Sequence, residues 1–298
     1  MHTRIAVTGR QGQVVRALAE AGALFGVEVI PVGRPELDLT SPETVVSVLA
    51  AAAPSIVVSA AAYTAVDEAE REPEKAQAIN ATGAGAVAAA ARALGVPVIH
   101  FSTDYVFDGR KATPYVEEDL VAPACVYGAS KLAGEQAVAA ATADHVILRT
   151  GWVYAPYGKN FVRTMLALAQ SRDEVRVVSD QLGCPTYAPD IAVAVMAISN
   201  NLLNSPDNRL LRGIFHLAGS EETSWAGFAT AISAFLAAQG LGKAVVTPIS
   251  SAEYPTAARR PANSRLDCGK LARVYGVQLP SWRTSLPLCL QRLLSNDT

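Results

Sequence analysis

Arg4-Ile5-Ala6-Val7-Thr8-Gly9-Arg10-Gln11-Gly12-Gln13-Val14 is a short apolar, β-branched run, then a glycine turn, then the start of an alanine- and leucine-rich stretch that reaches Leu24. Periodicity and composition predict strand, turn and helix in that order. Such a turn aims the free backbone N–H groups of a helix N-terminus at a pyrophosphate, which places a dinucleotide on Gly9, Gln11, Gly12, Gln13 and Val14. The spacing is Gly9-x-x-Gly12 rather than Gly-x-Gly-x-x-Gly, and Val15 occupies the position where a third glycine would stand.

The alternation continues outward from this stretch. Strands are expected over 27–32, 55–60, 96–102 and 145–150, with helices over 41–53, 73–94 and 129–141 between them. A βαβα rhythm with continuous apolar strands predicts an α/β protein, a Rossmann-type doubly wound parallel sheet with right-handed crossovers. Beyond Trp152 the rhythm breaks and prolines accumulate (Pro248, Pro255, Pro261, Pro280, Pro287), as expected of a smaller C-terminal α/β domain over the strand ends. The expected division is a dinucleotide-binding domain of 1–155 plus a helix at about 187–203, and a substrate-binding domain of 156–186 and 204–298.

Ligands of open α/β sheets lie outside the carboxyl ends of the strands. After the second strand comes Gly33-Arg34, and no acidic residue ends that strand to take a ribose diol. A guanidinium there can pair with the 2′-phosphate of NADP, and Asp38-Leu39 can flank the adenine. After the third strand the small residues Ala60-Ala61-Ala62, followed by Tyr63, let a cofactor lie close to the backbone.

Tyr127-Gly-Ala-Ser-Lys131 puts a phenol and an ammonium one helical turn apart, on one helix face. A nearby cation favours tyrosinate, so Lys131 is expected to lower the Tyr127 pKa and make it a proton donor and acceptor at working pH. A solvated helix can show the same spacing by chance, so the motif gains weight only from its neighbours.

Composition narrows the partners. Net charge is −2, with no basic stripe, which argues against nucleic acid. The four cysteines have no Cys-x-x-Cys spacing, so no metal site is expected. No leader precedes Arg4 and no apolar run has the length of a membrane span, so the expected compartment is cytoplasmic.

Further stretches occur in order: Ala60-Ala61-Ala62-Tyr63-Thr64-Ala65-Val66-Asp67, Ser102-Thr103-Asp104-Tyr105-Val106-Phe107-Asp108-Gly109, Arg149-Thr150-Gly151-Trp152-Val153-Tyr154 and Arg260-Pro261-x-x-Ser264. With Gly9-x-x-Gly12 and Tyr127-x-x-x-Lys131 they resemble the dTDP-4-dehydrorhamnose reductase family of extended short-chain dehydrogenases/reductases, over nearly the whole chain. The resemblance implies NADPH as cofactor, with NADH use left open. It implies Thr103, Tyr127 and Lys131 as the catalytic trio, and Thr64, Val66, Thr103, Asp104, Val106 and Trp152 as contacts to a deoxysugar nucleotide. Arg260 is a candidate for the diphosphate on charge and loop position alone. Gly151 stands where serine is expected. Sugar-nucleotide 4,6-dehydratases carry Thr-Asp-Glu where this chain has Thr103-Asp104-Tyr105, so reduction is preferred to dehydration. An epimerase and a non-catalytic NADP-binding regulatory subunit remain as alternatives, and so does a homodimer as the oligomeric state.

Overall fold

A computed structural model describes residues 3–296. Strands β1 (Arg4–Thr8), β2 (Glu28–Val32), β3 (Ile56–Ser59), β4 (Val98–Thr103), β5 (His145–Thr150) and β6 (Gly213–His216) form one sheet in the order β6-β5-β4-β3-β1-β2. Every pairing in it is parallel. The central strands β3 and β4 are buried along their whole length, because crossover helices cover both faces.

The α-helices of seven or more residues, numbered in chain order, are α1 (Gln13–Phe25), α2 (Val45–Ala52), α3 (Ala84–Ala93, continuing a helical run that opens at Pro73), α4 (Val126–Ala141), α5 (Phe161–Ser171), α6 (Ala188–Asn204), α7 (Trp225–Ala238), α8 (Gly269–Tyr275) and α9 (Trp282–Asn296). One sheet face packs on α1, α6 and α8 through Leu18, Ile191, Val195 and Leu271. The opposite face packs on α2, α3 and α4 through Leu49, Val87 and Val138. Alanine at 88, 90 and 91 lets α3 sit close to the strands without losing helix propensity. A separate core joins α5, α7 and α9 around Val162, Phe228, Trp282 and Leu290.

These separate cores support the proposal of two structural parts. The boundary differs from expectation in one respect: the range 204–298 contributes β6 to the main sheet and α8 to one of its faces. The four-residue Gly213-Ile214-Phe215-His216 is too short to stand out by periodicity, and it becomes a strand because β5 offers it a parallel edge. Among the described residues, no helix is long and apolar enough to cross a membrane.

Candidate active site

The sheet order reverses at β1, between β2 and β3. A cavity of about 630 Å³ opens beside that point, lined by residues that follow β1, β3, β4 and β5: Gly9 and Gly12, Ala60 to Ala62, Thr103 and Asp104, and Gly151 to Val153. Gln13, Val14, Thr64, Val66, Tyr127, Lys131 and Trp152 line it as well. A smaller cavity, about 310 Å³, shares Gly9, Ala61 and Ala62 with the first and is completed by Arg10, Gln11, Gly33, Arg34, Asp38 and Leu39. The expected cofactor residues therefore border two adjoining cavities, apart from Tyr63, whose backbone N and O are engaged by Asn80.

The glycine loop is shaped by Val15. Gly9 has φ +102, and a Cβ there would sit 3.3 Å from Val15 Cγ2. Val15 is buried in the first turn of α1 and packs toward the loop, so bare backbone at Gly9 makes the room that a third glycine would otherwise supply. Thr8 stabilises the facing turn: its hydroxyl oxygen accepts from both Ala60 N and Ala61 N at 3.0 Å.

Tyr127 lies in the first turn of α4, which starts before the expected 129. Cys125 sulfur caps that start by accepting from Gly128 N, and the Glu70 carboxylate accepts from Val126 N at 2.8 Å. Cysteine is not a standard capping residue, which is why the earlier start was not visible in the sequence. The Tyr127 ring packs edge-on against Tyr105, with ring centres 5.8 Å apart. Thr103 lines the cavity beside it, and the Thr103 hydroxyl donates to Asp104 Oδ1 at 3.0 Å.

The electrostatics differ from the simple pairing of Tyr127 with Lys131. Burial raises the phenol above its usual value, opposed by the nearby Thr103 side chain, with the Asp104 charge adding to the rise. The Lys131 ammonium is buried and donates to the Phe101 carbonyl at 2.6 Å. Desolvation lowers its pKa to about 8 despite the nearby Glu135. Lys131 has thus spent one of its donors on the strand rather than on the phenol. Burial likewise pushes Asp104 up to about 6, against its bonds from Ser264 and Thr103.

Three further expectations are corrected by packing. Val106 is fully buried with Phe107, Tyr115 and Leu266 and does not reach the cavity. The Tyr63 side chain turns away: its hydroxyl donates to Glu72, and Lys75 lies over its ring. Arg260 already pairs with Asp67 at 2.6 Å, and it lines another cavity.

That third cavity, about 460 Å³, is bounded by Phe161, Gln181, Trp225, Tyr254 and Arg260. Trp225 belongs to both it and the main cavity. Its ring stacks on Trp152 with centres 3.4 Å apart and planes 2° apart, while Trp152 donates to Ser264 Oγ at 3.1 Å. Sequence reasoning missed Trp225, an isolated aromatic at a helix start in the least regular third of the chain. It missed Arg10 too, although Arg10 lies inside the glycine turn itself. Gly151 is explained by Asp104: a Cβ at 151 would lie 2.2 Å from the carboxylate. The space a serine side chain would need is filled by that acid.

Residues 3–295 match the family model described as the RmlD substrate binding domain. The chain is 56% identical over 282 residues to dTDP-4-dehydrorhamnose reductase of Sinorhizobium fredii, covering 95% of each. The chain belongs to the dTDP-4-dehydrorhamnose reductase family. The Burkholderia thailandensis reductase is 44% identical, with 98% of this chain and 99% of that protein covered. Among solved structures, the Bacillus anthracis reductase in complex with NADP is 37% identical with a TM-score of 0.88, covering 97% of this chain and 99% of that one. In this reductase family member, then, the expected trio of Thr103, Tyr127 and Lys131 comes together on one cavity wall.

Proposed function

We propose that the chain reduces the C4 keto group of a deoxysugar nucleotide with NADPH, converting dTDP-4-dehydro-L-rhamnose to dTDP-L-rhamnose. The observation that carries this reading is the convergence of Thr103, Tyr127 and Lys131 on a cavity that also receives the glycine loop. The names of the full-length relatives supply the substrate.

The residues fit the cofactor. Gly9, Gln11, Gly12, Gln13 and Val14 would hold the pyrophosphate at the start of α1, and Arg34, Asp38 and Leu39 the adenosine end. Ala60, Ala61 and Ala62 allow close approach, and Lys131 would hold the nicotinamide ribose. When bound, NADPH supplies a hydride. As the keto oxygen gains negative charge, preorganised donors stabilise it. A phenol kept protonated by burial is the correct starting form for a group that must give up a proton. Tyr127 transfers that proton to the sugar oxygen, and Thr103 donates a second hydrogen bond by turning from Asp104. Thr64, Val66, Asp104 and Trp152 would border the sugar. Trp225 leads toward the third cavity, which suits the nucleotide half, while Arg260 on its wall is held by Asp67.

Purified protein mixed with NADPH and dTDP-4-dehydro-L-rhamnose is expected to oxidise the cofactor and form the C4 alcohol. Tight NADPH binding without oxidation would instead favour the regulatory reading. Cofactor choice has its own test. Arg34 is exposed and makes no hydrogen bond or ion pair among the described residues, whereas Arg10 is engaged by Glu36. Arg34→Ala is therefore expected to weaken NADPH binding about tenfold, the scale of one charge-assisted hydrogen bond, with NADH affinity little changed. Equal losses for both cofactors would show that Arg34 does not meet the 2′-phosphate.

A further inference from the structure

His100 precedes Phe101 on β4, so neighbouring residues of one strand offer Lys131 two acceptors. The Phe101 carbonyl lies 2.6 Å from Lys131 Nζ and His100 Nε2 lies 3.5 Å from it. On its other side, His100 Nδ1 is 3.0 Å from Ser59 Oγ on β3. Ser59 and His100 are each 1% exposed and Lys131 is 3% exposed, so the bonds between them lie inside the fold. An ammonium has only donors. If Nε2 accepts from it, Nδ1 must carry the ring proton and donate it to Ser59.

We propose that His100 is a positioning residue for the reduction: a neutral imidazole, oriented by Ser59, that keeps Lys131 charged and aims its remaining N–H at the cavity. This rests on the reading of Tyr127 and Lys131 as reducing machinery. Burial and the Lys131 charge both hold His100 well below its ordinary range, so the ring acts as an acceptor throughout the working pH range. The charged and titratable groups around the pair are Glu135, one turn beyond Lys131 on α4, and His145, on β5. Tyr127 and Asp104 share the cavity with Lys131. Glu135 is engaged by Arg149 and Ser102. His145 Nδ1 is 2.7 Å from the Thr142 carbonyl oxygen. Among the described residues, only His100 and Phe101 have an acceptor bonded to Lys131.

The sign follows from the acceptor. Replacing His100 by a side chain that cannot accept removes a bond made to the charged ammonium, so the Lys131 pKa must fall from about 8. Two readouts test this in His100→Leu: the pH profile of kcat/KM, and NADPH affinity against pH by tryptophan fluorescence. The alkaline limb of both is expected to move down by about one pH unit, the size of one hydrogen bond to a charged group. His100→Gln, which retains an acceptor, should restore most of the shift, and Ser59→Ala should give a smaller shift in the same direction. An unmoved limb in His100→Leu, whatever happens to its stability, overturns the proposal. If that variant does not fold, an unmoved limb in Ser59→Ala does the same. Should no sugar nucleotide be turned over by the parent protein, the function fails, yet the affinity profile still decides the role of His100.

Discussion

Tyr127→Phe is expected to cut turnover roughly 10²–10⁴-fold, the usual contribution of positioned proton transfer, with NADPH affinity little changed. The substitution removes one hydroxyl and leaves the ring, so the edge-on contact with Tyr105 and the first turn of α4 are retained. What is lost is the proton that neutralises the developing alkoxide. Thr103 can still donate to the oxygen, which accounts for residual activity rather than none. Single-turnover measurements at saturating NADPH separate the loss of chemistry from any loss of binding. Retention of more than about a tenth of parental turnover would remove Tyr127 from the role of general acid. The pH profile of the parent enzyme supplies an independent check. Because burial raises the phenol, the alkaline limb is expected near 8 from Lys131 and the acid limb near 6 from Asp104, not from Tyr127.

Arg149→Leu has the largest expected effect on stability. Arg149 Nε and Nη2 donate to the two oxygens of Glu135 at 2.9 and 2.8 Å, and both side chains are 3% exposed. The guanidinium also lies 5.1 Å from the centre of the Phe107 ring, and Ser102 Oγ donates to Glu135. Removing the arginine strands a carboxylate in the interior, which typically costs about 3–5 kcal/mol. Urea denaturation of the single variant should show a loss of that size. The double replacement Glu135→Leu with Arg149→Met should recover most of it, because an apolar pair of similar volume needs no compensating charge. A single-variant loss below about 1 kcal/mol would mean that water reaches the pair. The effect bears on the site as well, since Ser102 and Thr103 are adjacent on β4 and Lys131 lies one turn before Glu135.

Much of the groove could be read from residues alone. The strand–glycine–helix start, the small residues after β3 and the Tyr127–Lys131 spacing are local patterns, and each sits where the sheet ends its strands. The misreadings share one character. Val106 and Tyr63 flank true lining residues, but the Val106 side chain joins Phe107 in a core and the Tyr63 hydroxyl turns to Glu72. Arg260 carries the expected charge and spends it on Asp67, a residue far away in the chain.

What the chain decides by itself is periodicity: which segments can be buried strands, which can be helices, and where bare backbone is available to a phosphate. Those properties depend on neighbours within about one helical turn or strand, so they are written locally. The protonation and partners of Tyr127, Lys131 and Asp104 are decided only by the tertiary structure. Desolvation and hydrogen bonding act over a few ångströms in space between residues that β3, β4, β5 and α4 bring together from across the first half of the chain. Spacing along the sequence carries no record of that.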